Sequence, residues 1–145
     1  MRRFQKPVYI LVVALSVVLA ATVIVGAYVI YAKWSANSVC YAFASHLPTA
    51  FQSPTNAAAG TWNNEGGANF SFLRCSSTHV WYSQYIDGIG GIGAVTLLAW
   101  YWQGGQRILV DADTKYDSGE NWWTSLSSVP SDRLDAWSIA AHEFG

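Results

Sequence analysis

Residues 8–32, VYILVVALSVVLAATVIVGAYVIYA, hold no charged side chain. As a helix rising about 1.5 Å per residue, the run spans roughly 37 Å, enough to cross a bilayer core of about 30 Å. The apolar core of a cleaved signal peptide is shorter, about 7–15 residues. The sequence therefore predicts a transmembrane signal-anchor over residues 8–32, with cleavage near Val25-Gly26-Ala27 as the alternative. Arg2, Arg3 and Lys6 precede the run, and only Lys33 follows it closely. Positive charge stays on the cytoplasmic side. Residues 1–7 are thus expected in the cytoplasm as a basic N-terminus and residues 33–145 outside it, on a single-pass membrane protein. Cleavage would make the same part secreted.

That outer part carries Lys33, Arg74, Arg107, Lys115 and Arg133 against nine Asp and Glu. It has no basic patch interleaved with aromatics, which excludes nucleic acid as a partner on electrostatic grounds. Cys40 and Cys75 are its only cysteines. An even pair in an oxidising compartment reads as a disulfide, and a metal site would want more ligands at closer spacing. Two unpaired buried thiols are the alternative if the compartment is less oxidising.

Residues 33–37 read as a short linker, and 38–145 as one domain. Alternation and aromatic content predict strands over 38–44, 69–75 and 79–86. Between the first two, 53–62 predicts a helix, with Ser53 as its cap and Pro54 in its first turn. The stretches 94–102 and 106–112 predict a hairpin joined by Gln103-Gly104-Gly105, with 94–102 at the sheet edge and 106–112 inside. Residues 113–131 read as a long polar loop. A last helix follows, capped by Ser131 or Asp132, with Leu134, Trp137, Ala141 and Phe144 along one stripe. A strand–helix–strand start implies a right-handed crossover between parallel strands. The fold class is α/β: a twisted mixed five-stranded sheet with a crossover helix and a second helix beginning at the end. The glycine-rich run 88–93 leads into a strand rather than a helix, so no helix N-terminus waits for a phosphate.

The last helix carries His142 and Glu143 in SIAAHEFG, residues 138–145. This segment resembles the front of the active-site helix of matrixin-type metalloproteases, zinc endopeptidases of the metzincin clan, whose motif is H-E-x-x-H-x-x-G-x-x-H. Residues 47–72 are similar to the first helix and following strand of the small bacterial and archaeal members. Residues 94–124 are similar to their edge strand, next strand and the loop to the active-site helix. The resemblance covers roughly residues 38–145, a partial peptidase domain. Pro54 departs from the uninterrupted first helix of the family. Strand 94–102 has no His with which to hold the structural zinc that matrixins often carry.

The resemblance implies zinc-dependent hydrolysis of a peptide or protein substrate. His142 would be a zinc ligand and Glu143 the general base. In a helix, residues i and i+4 share a face, so the next ligand would directly follow Gly145. The motif would continue as His-x-x-Gly-x-x-His and a Met-containing turn, and a chain holding only its first half is expected to be inactive. Asp111 and Asp113 match positions that touch calcium in some matrixins, a solvated strand end being the alternative. His46 and His79 read as ordinary surface or half-buried histidines. A second reading is a non-catalytic extracellular domain that binds surfaces or glycans through Trp100, Trp102, Trp122 and Trp123, although tryptophans more often pack cores and loops.

Overall fold

A computed structural model describes residues 32–67 and 69–145. Apart from Ala32, the apolar run 8–32 lies outside the described residues, as does the basic segment 1–7. Among the described residues no helix is long and apolar enough to cross a membrane.

The chain opens with a two-residue strand, Lys33–Trp34 (β1), and continues into Ser38–Phe43 (β2). A 3-10 turn at Thr49–Phe51 runs into helix α1, Gln52–Asn63. Strands Ser71–Arg74 (β3), Val80–Gln84 (β4), Ala94–Gln103 (β5) and Gln106–Asp117 (β6) follow. Trp122–Trp123 (β7) pairs with Leu134–Asp135 (β8), and Ala136–Phe144 forms helix α2.

The architecture is α/β with a mostly parallel sheet. β3, β2, β4 and β6 lie side by side in that order, all parallel, and β5 pairs antiparallel with β6. β1 pairs with β6 through Lys33 with Ile108 and Trp34 with Leu109. The sheet therefore has six strands rather than five. The sixth falls in the segment read as a linker, because a two-residue strand leaves no periodicity to detect. β5 has β6 as its sole strand partner among the described residues, so it is a sheet edge.

One sheet face makes the core. Tyr41, Trp81 and Tyr116 are buried on it beneath the two helices. Phe51 stacks on Tyr116 at 4.7 Å, and the fully buried Thr55 shares a 2.7 Å hydrogen bond with the Tyr116 hydroxyl. Phe144 packs against Tyr41, Phe72 and Trp81 at 5.3, 4.5 and 4.6 Å. Cys40 and Cys75 form a disulfide with their Cα atoms 5.4 Å apart, tying β2 to the end of β3.

Several element ends differ from the sequence reading. Ser53 caps nothing: α1 starts at Gln52 directly from the 3-10 turn, so the chain arrives already helical. Asp135, rather than Ser131 or Asp132, caps α2, its carboxylate accepting from the Trp137 and Ser138 N–H groups. The hairpin turn is tighter than three residues. Gln103 pairs with Gln106, and Gly104 and Gly105 alone turn the chain at φ 57° and 78°. That pair of left-handed values is the two-residue turn whose twist suits a hairpin. The segment 113–131 is not wholly loop, since β6 runs on to Asp117.

Candidate functional site

α2 is held from three sides. Its buried Ala136 and Ala140 let it lie close to the core. Phe144 fills the space under the sheet, and the Trp62 indole N–H at the end of α1 donates to the Ala141 carbonyl at 2.7 Å. Gly145 lies against the same indole, where a Cβ would come within 1.8 Å of a ring carbon. The last turn of α2 is therefore docked rather than frayed.

This docking sets where His142 and Glu143 point. Glu143 is half-buried and turns toward β5, where the Thr96 hydroxyl donates to its Oε2 at 2.6 Å. Thr96 in turn shares a 2.9 Å hydrogen bond with the buried Thr114 hydroxyl on β6. Thr96 and Thr114 are register partners across β5 and β6, which brings both hydroxyls to one face. The His142 ring is exposed and makes no hydrogen bond or ion pair among the described residues. An imidazole free to ligate thus stands beside a carboxylate fixed to the sheet edge. Alone it cannot hold a zinc that needs three protein ligands. Among the described residues no group of three His, Cys, Asp or Glu stands close enough to bind a metal.

Burial pushes the Tyr116 phenol well above its ordinary range, with the Thr55 hydrogen bond opposing and the Glu143 charge adding to the rise. The Tyr41 phenol is also raised by burial, against the pull of the Arg74 charge.

Asp111 and Asp113, the two aspartates read as calcium candidates, both have partners within the fold. Asp111 pairs with the Nδ1 of His79, and Asp113 accepts the Val80 N–H at 2.9 Å. His79 is buried rather than on the surface or half-buried, its ring 4.6 Å from that of Trp34. His46 is exposed, with its ring 5.7 Å from Tyr82.

Sequence reasoning missed Asp117. It is fully buried and takes four backbone N–H groups: Ile86 and Gly119 on Oδ1, Asp87 and Gly88 on Oδ2. Burial would raise its carboxyl, but these donors win and hold it well below the usual carboxylate range. Asp87 and Glu120 add bonds to the Ile92 and Gly91 N–H groups. Carboxylates thus take the Asp87, Gly88, Gly91 and Ile92 amides of the glycine-rich loop 87–93. The signal available in sequence was a glycine-rich run followed, one hairpin later, by Asp-Ser-Gly.

All four tryptophans proposed as a binding platform make contacts inside the domain, the Trp100 and Trp102 rings lying 5.8 Å apart with Arg107 over both. The Trp122 indole donates to the Asp117 carbonyl at 2.6 Å, and that of Trp123 to the Ser127 carbonyl at 3.2 Å. No protein-family model matches the chain, and no curated protein matches it.

Proposed function

We propose that this chain carries the first part of the catalytic domain of a zinc metalloendopeptidase, the partial metzincin-like domain of the resemblance, held at a membrane by residues 8–32 with the domain outside the cytoplasm. One observation carries the reading: α2 presents its His-Glu pair beside an open sheet edge, with the Glu143 carboxylate anchored to Thr96 of that edge. An extended peptide adding to β5 by backbone hydrogen bonds would pass over Glu143. The element order that the resemblance implies supports it too: parallel crossover, antiparallel edge strand, then the helix.

In this reading His142 is the first zinc ligand, and two further ligands must come from residues other than those described. A zinc so held supplies a water acidified to near-neutral pKa and an electrophile for the scissile carbonyl. Glu143 keeps Oε2 on Thr96 and has Oε1 to take a proton and return it to the leaving amine. The β5 edge holds the peptide extended.

Zinc titration followed by peptide cleavage tests this. The 145-residue chain should show no tight one-to-one zinc site and no proteolysis. The chain carried on past Gly145 with the residues its gene encodes there should gain both, and Glu143→Gln in it should keep zinc and lose cleavage. Tight zinc binding by the 145-residue chain, or a longer chain that binds no zinc, would overturn the assignment.

A further inference from the structure

We propose that Asn69 is an N-glycosylation site, its side-chain nitrogen taking an oligosaccharide from a polyprenyl diphosphate donor. This rests on the reading that puts residues 33–145 outside the cytoplasm and goes beyond it.

Asn69-Phe70-Ser71 is the single Asn-x-Ser/Thr triplet of the chain. Such a triplet is an acceptor where it stands on the surface of a protein that leaves the cytoplasm. Ser71 is the first residue of β3, so Asn69 lies before the strand, in the loop from α1, and it is exposed. Asn63, at the end of α1, clamps the base of that loop: its amide donates to the Phe72 carbonyl at 2.9 Å and accepts the Phe72 N–H at 2.7 Å.

The asparagines divide by what their side chains do. Besides Asn63, Asn56 accepts from the Tyr41 hydroxyl at 2.8 Å, and Asn121 donates to the Asp132 carbonyl at 3.0 Å. Neither the Asn69 amide nor the Ser71 hydroxyl has a hydrogen bond among the described residues, while the Ser71 N–H is held by the Asn37 carbonyl at 2.9 Å. The side chains of Asn37 and Asn64 have no bond there either, but Val39 and Gly66 stand two residues on, where an acceptor needs a hydroxyl. In an extended chain residues i and i+2 share a side. Phe70 packs on Phe72 at 5.1 Å, and Phe72 on Phe144 beneath the helices. Alternation then turns Asn69 and Ser71 together toward the opposite face.

Transfer replaces one N–H of the Asn69 amide by a bond from Nδ2 to the anomeric carbon of the first sugar. The bond from that carbon to the diphosphate oxygen breaks, polyprenyl diphosphate leaves with the electron pair, and the displaced proton goes to a base of the transferase. The position suits a bulky, hydrated group. In the order β3, β2, β4, β6, β5, four strand spacings of about 4.8 Å separate the sugar-bearing edge from β5, so the edge beside Glu143 stays open. β3 has no strand on its outer side among the described residues, and Leu73, on the same face as Ser71, is 47 % exposed. An oligosaccharide at the head of this strand covers an edge that would otherwise pair with another chain. The Cys40–Cys75 bond, which ties β2 to the end of β3, belongs to the same side of a membrane as the transfer.

The full chain, purified from the cells that carry its gene, tests this by mass spectrometry after reduction and trypsin. The tryptic peptide 34–74 holds the triplet. It should be heavier than its sequence by whole sugar residues, and fragmentation should place them on Asn69. Asn69→Gln and Ser71→Ala should each return the bare mass, and Ser71→Thr should keep the sugar. These side chains have no partner in the fold, so in every variant, denatured without reduction, Cys40 and Cys75 should still resist a maleimide. A bare wild-type peptide from a chain whose cysteines resist overturns the site and leaves the placement outside the cytoplasm standing. A bare peptide from a chain whose cysteines react overturns the placement and the site together. Sugar that persists in Asn69→Gln overturns the site as well.

Discussion

Glu143 is fixed by a residue 47 positions earlier in the chain, not by its own helix. Thr96 spends its proton on Oε2, and its oxygen remains available to Thr114. The three groups form a chain of hydrogen bonds from β6 to α2 across the edge strand. Removing Thr96 by Thr96→Val loses the bond to Glu143 and also strands the buried Thr114 hydroxyl, so a single substitution would overstate the contact. A double-mutant cycle of Thr96→Val with Glu143→Ala separates the two. The half-buried carboxylate should give a coupling of about 1 kcal/mol in urea unfolding, and Thr96→Ser should restore most of the loss. A coupling near zero would mean that Glu143 is not held where the structure puts it. No sequence signal marks this contact. The His-Glu pair stands out in the sequence, but the partner of Glu143 is one threonine in an apolar strand, selected only when α2 docks.

At the scale of elements, what could be read from sequence depended on periodicity. β2, β4 and β5 announce themselves by alternation and aromatic content, and the edge position of 94–102 is where the structure has it. The far half of β6 did not announce itself. Its sequence DTKYD looks polar, yet Thr114, Tyr116 and Asp117 are all buried, each with hydrogen-bonding partners that only the folded sheet supplies. Asp117 is the extreme case, since it joins the end of β6 to the loop 86–88. Its folded value is depressed, so its stabilising contribution is fully present above about pH 4 and is lost as pH falls through the folded value. Asp117→Asn keeps one acceptor oxygen and turns an amide NH2 toward two of the four N–H donors. The substitution should therefore destabilise the domain at neutral pH, and the gap to wild type should narrow as acid removes the wild-type advantage. Unfolding midpoints of both proteins between neutral pH and pH 3 measure this. A gap that stays constant through that range would assign the loss to packing and not to the charge.

At the scale of the whole molecule, one covalent bond reinforces the pairing of β2 with the short edge strand β3. β3 is only four residues long and pairs with β2 alone, so it is the other edge of the sheet. The Cys40–Cys75 bridge closes a loop spanning 35 positions that contains all of α1. Restricting that loop in the unfolded chain is worth about 4 kcal/mol in the chain-entropy account. A domain of this size is stabilised by only about 5–15 kcal/mol in total, so the bridge is a large share. Such a bond persists in an oxidising compartment, as the proposed placement of residues 33–145 outside the cytoplasm requires. Cys40→Ala with Cys75→Ala should lower the thermal midpoint by roughly 10–20 °C. Dithiothreitol should do the same to wild type and nothing to the double variant. Loss of the bridge frees β3 first, and with it Phe72, which packs on Phe144. Amide exchange should therefore speed up in β3 and the last turn of α2 before it changes in β5 or β6. Uniform acceleration across the sheet would show that the bridge acts on the unfolded chain alone and leaves the docking of α2 untouched.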